Sequence, residues 1–574
     1  MQPASPPSQP NPPNSPIGNG RLDVHHAPHP KTFAPANVVL LLALSIFGAV
    51  IGIELLVKLG VTPNTSIIGA LVAMICARVP LQYFAPYRSI HVQNLAQSAI
   101  SAATFGAANC LLLPIGIPFL MGRADLIMPM FVGVSLAMLL DGYMLYRMFG
   151  SKVFPETGTW PQGVAAAEAI KAGDSGGKQA RLLGIGLGVG VVGSWLGVPM
   201  SAFGTAFIGN IWALGMLGIG FLLRGYTMPL FGMDVAKAYI PHGMMIGAGL
   251  VALLQVSWLV WRDRKPTSTA SSAANLAGSS PASLAASVAA RSAVQTPSNN
   301  GANGAPQIRS SLKFGGIAYI VLAAAVSLGS GLYAGMSTGM LIAFIAYAAF
   351  AAFVHELIVG IAAMHSGWFP AFAVALITLL IGMVLGFPPE ALVILCGFSA
   401  ATGPAFADMG YDLKAGFILR GNGADPAFEM EGRRQQLLAA MLAFVVAIPV
   451  VYFAHFSFFA NGQIPPVAKV YVSTIKAGVA PGVLHALMLW AVLGAAVQLV
   501  GGPKRQLGVM ISTGLLIASP AAGWAVMVGI VLRIGISRFW GASAKGPMEV
   551  LAAGIIAGDA LYSFFNSMIR TRSR

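Results

Sequence analysis

The sequence predicts an all-α, polytopic integral membrane protein of about sixteen membrane segments, in two duplicated halves with short re-entrant or broken helices. Three observations carry this reading. Of 574 residues only 9% are charged while 56% are hydrophobic, too little polar surface to cover a soluble globule of that size. Apolar runs of spanning length recur from residue 36 onward, such as "NVVLLLALSIFGAVIGIELLV" at 37 to 57. One long polar interruption then divides those runs into two sets. Continuous apolar runs, in place of ten-residue alternating ones, favour helices over a closed barrel, because backbone groups in lipid must bond within the protein.

Taken in order, residues 1 to 34 are rich in Pro, Ser and Asn and read as a disordered tail. No secretory signal precedes the first span, which therefore serves as its own targeting signal. An N-terminal membrane half covers 35 to 262, with segments near 36–58, 63–79, 89–113, 125–147, 179–198, 201–223 and 240–261 and short pieces near 161–173 and 226–239. Residues 263 to 311, rich in Ser, Ala, Asn and Gly, form a disordered linker. The C-terminal half, 312 to 574, has segments near 313–335, 338–363, 368–386, 390–406, 434–457, 482–501, 506–532 and 547–568, with a short piece at 466–478.

The net charge of +15 does not imply a nucleic-acid partner. Basic residues cluster at segment ends: Arg262, Arg264 and Lys265; Arg309 and Lys313; Arg433 and Arg434; Lys504 and Arg505; and the terminal "RTRSR". That is the positive-inside pattern, which places the linker and the C-terminus in the cytoplasm and the chain in the cell membrane, which is the inner membrane if the cell is Gram-negative. Cys76, Cys110 and Cys396 stand apart in apolar runs with no metal-ligand spacing, so no metal or other cofactor is expected. Nothing in the chain sets an oligomeric state.

An internal repeat underlies the two halves. "PQGVAAAEAIKAG" at 161 to 173 aligns with "PVAKVYVSTIKAG" at 466 to 478, each after a long span and a Gly/Pro-containing loop. "GMMIGAGL" at 243 to 250 similarly aligns with "GIIAGDAL" at 554 to 561. Short Gly/Pro-interrupted segments at matching places in two halves are a feature of secondary transporters, since a broken helix frees backbone groups to bind a polar solute.

Ionisable residues inside spans cost ~2.5 to 3.5 kcal/mol each on insertion scales and so mark candidate sites. Glu168 and Lys171, three apart on the short helix, can pair on one face. Gln93 and Asn94 lie in "HVQNLAQSAISAATFGAANC", where amides either bond between helices or meet peptide-like groups. Asp408, Asp412 and Lys414 occupy a similar mixture at 396 to 421. Asp559, Asp141, Glu54 and Glu356 are isolated carboxyls in apolar helices, and His242 follows a proline at a helix start. Enzyme motifs fail: "VHELIV" lacks the second His of a metalloprotease, "GVGVVG" lacks a strand and reads as helix packing, and "GFSAAT" lacks the last glycine of a nucleophile elbow.

Four stretches, "HVQNLAQSA" at 91 to 99, "FPETGTWPQGVAAAEAIKAG" at 154 to 173, "DMGYDLKAGFILRG" at 408 to 421 and "VLAAGIIAGDAL" at 550 to 561, resemble the oligopeptide transporter family, which includes carriers of peptides and of metal chelates. The resemblance implies import of small peptides or peptide-like compounds by proton symport and alternating access. On that reading Gln93, Asn94, Glu168, Lys171, His242, Asp412, Lys414 and Lys476 contact substrate, and Glu168, Asp408 and Asp559 are the proton-coupling candidates. The alternatives are a metal-chelate carrier of the same family, or a channel or receptor for a peptide-like ligand. Two stretches depart from the family pattern: "ETGTW" at 156 to 160 looks inserted, and "NGADPAFEMEGRR" at 422 to 434 is unusually acidic.

Overall fold

The computed structural model describes residues 28–59, 86–175, 177–262, 304–367, 371–478, 482–517 and 519–572. The N-terminal half supplies α1 (Pro35–Leu59), α2 (Ile90–Phe105), α3 (Leu113–Leu120), α4 (Ile127–Met148), α5 (Pro161–Ser175), α6 (Gly177–Trp195), α7 (Met200–Ile208), α8 (Ile211–Phe231) and α9 (Ile240–Arg262). The C-terminal half supplies α10 (Gly304–Gly329), α11 (Thr338–Ser366), α12 (Ala371–Val384), α13 (Pro389–Ala401), α14 (Pro404–Leu419) and α15 (Pro426–Ala460). It continues with α16 (Pro466–Ala477), α17 (Val483–Arg505), α18 (Leu507–Leu516), α19 (Pro520–Trp540) and α20 (Lys545–Arg572). The chain is thus an all-α multi-pass membrane protein. Among the described residues ten helices are long and apolar enough to cross a bilayer, and three shorter apolar helices accompany them. The expected segment near 63–79, Cys76, and most of the expected tail and linker lie outside the described residues.

Polarity runs opposite to that of a soluble protein. Phe453, Val492, Val500 and Phe539 are exposed, while Gln97, Asp141, Glu356, Asp408 and Asp412 are buried. Lipid covers the first set, and neighbouring helices must satisfy the second.

Three expected segments turn out to be broken or longer. The run expected to end at 406 stops at Ala401 and resumes as α14 to Leu419. Asp408, Asp412 and Lys414 interrupt its apolar pattern, so hydropathy alone hides that helix. The break rests on Gly403, at φ 101°, where a Cβ would sit 2.9 Å from Val359 Cγ2. The expected 201–223 run divides at Gly209, and Asn210 caps α8 by accepting from the backbone N–H of Trp212 at 3.0 Å and Ala213 at 3.3 Å. The 506–532 run divides before Pro520, the first residue of α19. By contrast α2 continues into α3 through a π turn at Gly106–Leu112.

The two halves of the sequence interleave in space. One large core joins α1 to α4 with α10 to α16. A second is built from α7, α8 and α9 with α18 and α19, touching α11 and α12, and a third from α5, α7 and α20. Glycines set the tightest crossings. A Cβ on Gly186 or Gly190 of α6 would strike the carbonyls of Leu551 and Ile555 in α20, and one on Gly554 or Gly558 of α20 would strike those of Leu183 and Leu187. The "GVGVVG" stretch therefore does pack helices, through Gly190. Between α9 and α17 the same close approach places Gly243 and Gly247 on the carbonyls of Leu487 and Ala491, and Gly494 on that of Met244.

Replacing Gly558 with Leu puts a side chain where the Leu187 carbonyl stands and should destabilise the α6–α20 crossing by about 1–3 kcal/mol. The measurement is thermal unfolding in detergent followed by loss of monodisperse protein. An unchanged transition would mean that the crossing does not hold the two helices.

Candidate functional site

Helix α14 carries the polar residues that the rest of the bundle surrounds. Asp408 and Asp412 are one turn apart and fully enclosed, so they share the face turned toward α2. From α2, Gln97 Nε2 donates to Asp412 Oδ1 at 2.5 Å, and the Ser101 hydroxyl donates to Asp408 Oδ1. Asn94 supports Gln97 by donating to its Oε1 at 2.8 Å, and Gln436 of α15 donates to the Asp412 carbonyl at 2.7 Å. Among the described residues the second carboxyl oxygens of Asp408 and Asp412 are buried with no hydrogen-bond donor within bonding distance. Two adjacent carboxyls with such acceptors form a seam suited to a cationic or N–H-bearing solute, or to a proton.

Beyond Asp412, toward the end of α14, compensation changes from amides to cations. Arg420 donates to both oxygens of Glu429, at 2.8 and 3.0 Å, and to Gln436 Oε1 at 2.7 Å. Arg433 donates to Glu429 at 2.7 Å and pairs with Glu156. Lys414 Nζ donates to the Glu156 carbonyl at 2.8 Å and lies 5.5 Å from the Phe417 ring centre. At the same end Glu168 and Lys171 form the expected ion pair at 3.1 Å on α5, with Glu549 of α20 in their field. The segment leading into α1 also docks here. Thr32 bonds twice to Gln435, and His29 stacks against His91 and Phe428, where burial pushes its imidazole down to about 4. At neutral pH it is uncharged.

Both stretches that depart from the family pattern are structural parts of this end. In "NGADPAFEMEGRR", Asp425 caps α15, accepting from Ala427 and Phe428 N–H at 3.0 and 3.1 Å, and Glu429 joins the two arginines. In "ETGTW", Glu156 holds Arg433 and Lys414, while Thr159 and Trp160 bond the Met364 carbonyl, Trp160 from its backbone N–H at 2.8 Å. The Trp160 ring is buried edge-to-face on Tyr411, 5.9 Å between centres, with its backbone held at φ 35°.

Other residues singled out in the sequence lie elsewhere. Gln93 donates to the Tyr87 carbonyl at 3.1 Å and supports the turn before α2. His242 is buried at the start of α9 beside Tyr239, on the helix that gives Ile240 and Met244 to a cluster with Val235 and Leu515. Asp559 accepts from Ser194 Oγ at 2.5 Å and from Ser201 N–H at 2.7 Å, so it occupies the N-terminus of α7 with both oxygens filled. Lys476 is exposed at the end of α16, which packs on α3, α12 and α13. The two short helices α5 and α16 rest on different neighbours: α5 lies against α14, α6 and α20. Sequence reasoning missed Ser101, Gln436 and Tyr319. No motif singles them out, and only the partner across the bundle marks each.

The Arg420–Glu429–Arg433 network is buried, so removing its shared carboxylate leaves Arg420 without a carboxylate and Arg433 with Glu156 alone. Glu429→Ala should cost about 3–5 kcal/mol. Thermal unfolding in detergent measures it, and a loss below ~1 kcal/mol would show that the arginines find water or other partners.

No curated protein matches the chain. A family model, described as OPT oligopeptide transporter protein, matches residues 34–235 and 198–570. Together those matches cover both membrane halves, including the α2 and α14 seam and the short helix α5. The chain belongs to the OPT oligopeptide transporter family and is a membrane transporter, not an enzyme.

Proposed function

We propose that this transporter imports small peptides or peptide-like compounds by proton symport through alternating access. The observation that carries the reading is the continuous line of buried polar groups along α14. From Lys414 to Gly403 the helix covers about 16 Å at 1.5 Å per residue, roughly half a bilayer core. A free peptide presents a carboxylate, an ammonium group and amide N–H groups. Lys171 and Lys414 suit the first, Glu168 and Asp412 the second, and the open acceptors of Asp408 and Asp412 the amides. Of the three proton-coupling candidates Asp408 suits the role best by its open acceptor, whereas the filled oxygens of Asp559 favour a structural cap. His242 and Lys476 have no part in this assignment, because neither lies on the seam.

Alternating access is supported by a repeat that the helix crossings suggest. Pairing Gly243 with Gly554 and Gly247 with Gly558, as the sequence alignment does, also pairs their contacts: the carbonyls of Leu487 and Ala491 correspond to those of Leu183 and Leu187. Gly494 on Met244 corresponds in the same way to Gly190 on Ile555. Each half thus lends its last helix to the other, an arrangement suited to rocking one repeat against its partner. For orientation, Arg147 donates to Ser310 and Ser311, the last two residues of the expected linker. Since the positive-inside rule places the linker in the cytoplasm, we assign the charged end of the seam, near Arg147 and Arg433, to the cytoplasmic side.

Uptake of labelled di- and tripeptides into proteoliposomes under an imposed pH gradient tests this. The gradient should drive accumulation, and saturable uptake indifferent to it would sink the proton coupling. Lys171→Ala should raise the half-saturating peptide concentration about ten- to a hundredfold, the effect of a lost charged hydrogen bond of ~1.5–3 kcal/mol. Asp412→Asn should abolish gradient-driven uptake in protein that remains monodisperse. Near-normal kinetics in both variants would remove these residues from the site.

A further inference from the structure

At the deep end of the seam lies a second pair of carboxyls, Asp141 of α4 and Glu356 of α11, remote from one another in sequence and both at 0% exposure. The fully buried Tyr319 of α10 stands between them, its Oη 3.0 Å from Asp141 Oδ1 and 2.7 Å from Glu356 Oε2. Asp141 Oδ2 accepts from the backbone N–H of Gly403 at 2.6 Å and of Phe406 at 3.1 Å, so this carboxyl closes the N-terminus of α14. Among the described residues Glu356 Oε1 is buried with no hydrogen-bond partner, and Tyr319 Oη links the two carboxyls.

Hydrogen counting fixes the protonation of this group. A phenol has one hydrogen and can give it to one carboxyl only. Asp141 already receives two backbone N–H groups and sits at a helix N-terminus, where negative charge is favoured. Glu356 has neither. No Lys or Arg is paired with either acid among the described residues. The other titratable groups nearby are the Cys110 thiol, in the field of both Asp141 and Asp408, and Asp408 itself on α14. The neighbouring His355 turns toward the Ser399 carbonyl. Two bare carboxylates flanking one phenol, buried and without a cation, are strongly disfavoured.

We infer that Glu356, Tyr319 and Asp141 hold one shared proton in the membrane interior and form a relay that sets the N-terminal cap of α14. In the resting arrangement the Glu356 acid donates to Tyr319 Oη, and the Tyr319 hydroxyl donates to the Asp141 carboxylate. Transfer breaks the Glu356 O–H as Tyr319 accepts that proton and passes its own to Asp141. Glu356 becomes the carboxylate, Asp141 the neutral acid, and Tyr319 is unchanged. A neutral Asp141 is a weaker acceptor for Gly403 and Phe406, so the transfer loosens α14, the helix that carries Asp408, Asp412 and Lys414. The shared proton stands on geometry alone; its role in transport rests on the proton-coupled reading above.

Infrared spectroscopy of the full chain in proteoliposomes at pH 7 tests it, comparing wild type with Glu356→Gln and Tyr319→Phe, each checked for monodispersity. Wild type should show the carbonyl band of a protonated carboxylic acid that Glu356→Gln removes. Tyr319→Phe should move that band to higher frequency, because the acid loses its acceptor. A wild-type spectrum matched by folded Glu356→Gln would overturn the shared proton. In the uptake assay, Tyr319→Phe should fall to the rate seen without a gradient, and full gradient-driven uptake in that variant would overturn the relay. Loss of the band in Glu356→Gln, together with wild-type uptake that ignores the gradient, would keep the shared proton and reject only the symport reading.

Discussion

A carboxyl enclosed among membrane helices has to be neutralised, paired or hydrogen-bonded, and that constraint organises this protein around α14. The helix brings Asp408 and Asp412 inward, and its N-terminus draws in Asp141. The surrounding helices are placed by what they offer in return. α2 gives Gln97 and Ser101, α15 gives Gln436, and α10 gives Tyr319. Even the break before α14 belongs to this arrangement, because Gly403 lets the chain turn so that its freed N–H groups face a carboxylate.

The form of compensation changes with depth. At the charged end, guanidinium and ammonium groups meet carboxylates, partly exposed at Glu168–Lys171 and enclosed at Arg420–Glu429. Midway, amides and a hydroxyl replace the cations, leaving acceptors unfilled on Asp408 and Asp412. At the deepest level a phenol lies between two acids. Charge is thus best satisfied where it is structural and least satisfied where a solute or proton has most to offer. The acidic stretch at 422 to 434 and the loop at 156 to 160 belong to the first kind, and they frame the seam without lining it.

Hydrophobicity cannot hold the helices against one another in lipid, which is as apolar as their side chains, so close packing has to do so. Gly186 and Gly190 against Gly554 and Gly558 bring two backbones into contact, and Gly243 and Gly247 do the same against α17. Because these crossings join one half of the chain to the other, a shift of either half reaches both.

Composition and apolar periodicity alone determined the membrane environment, the helical class and most spans, since these follow from local transfer energies that each stretch expresses by itself. The Glu168–Lys171 pair was also legible, because three residues of helix place the two on one face. Tertiary structure decided the rest. α14 escaped a hydropathy reading because its purpose is to carry polar groups, and nothing near Asp559 in the chain marks Ser194 and Ser201 as the groups that fill its oxygens. Asp141, Tyr319 and Glu356 are three isolated residues on three helices, and what each does depends on donors and acceptors hundreds of positions away in some cases and dozens in others. Hydrogen bonds are short and directional, so their partners are set by how helices cross and not by what stands next in the chain.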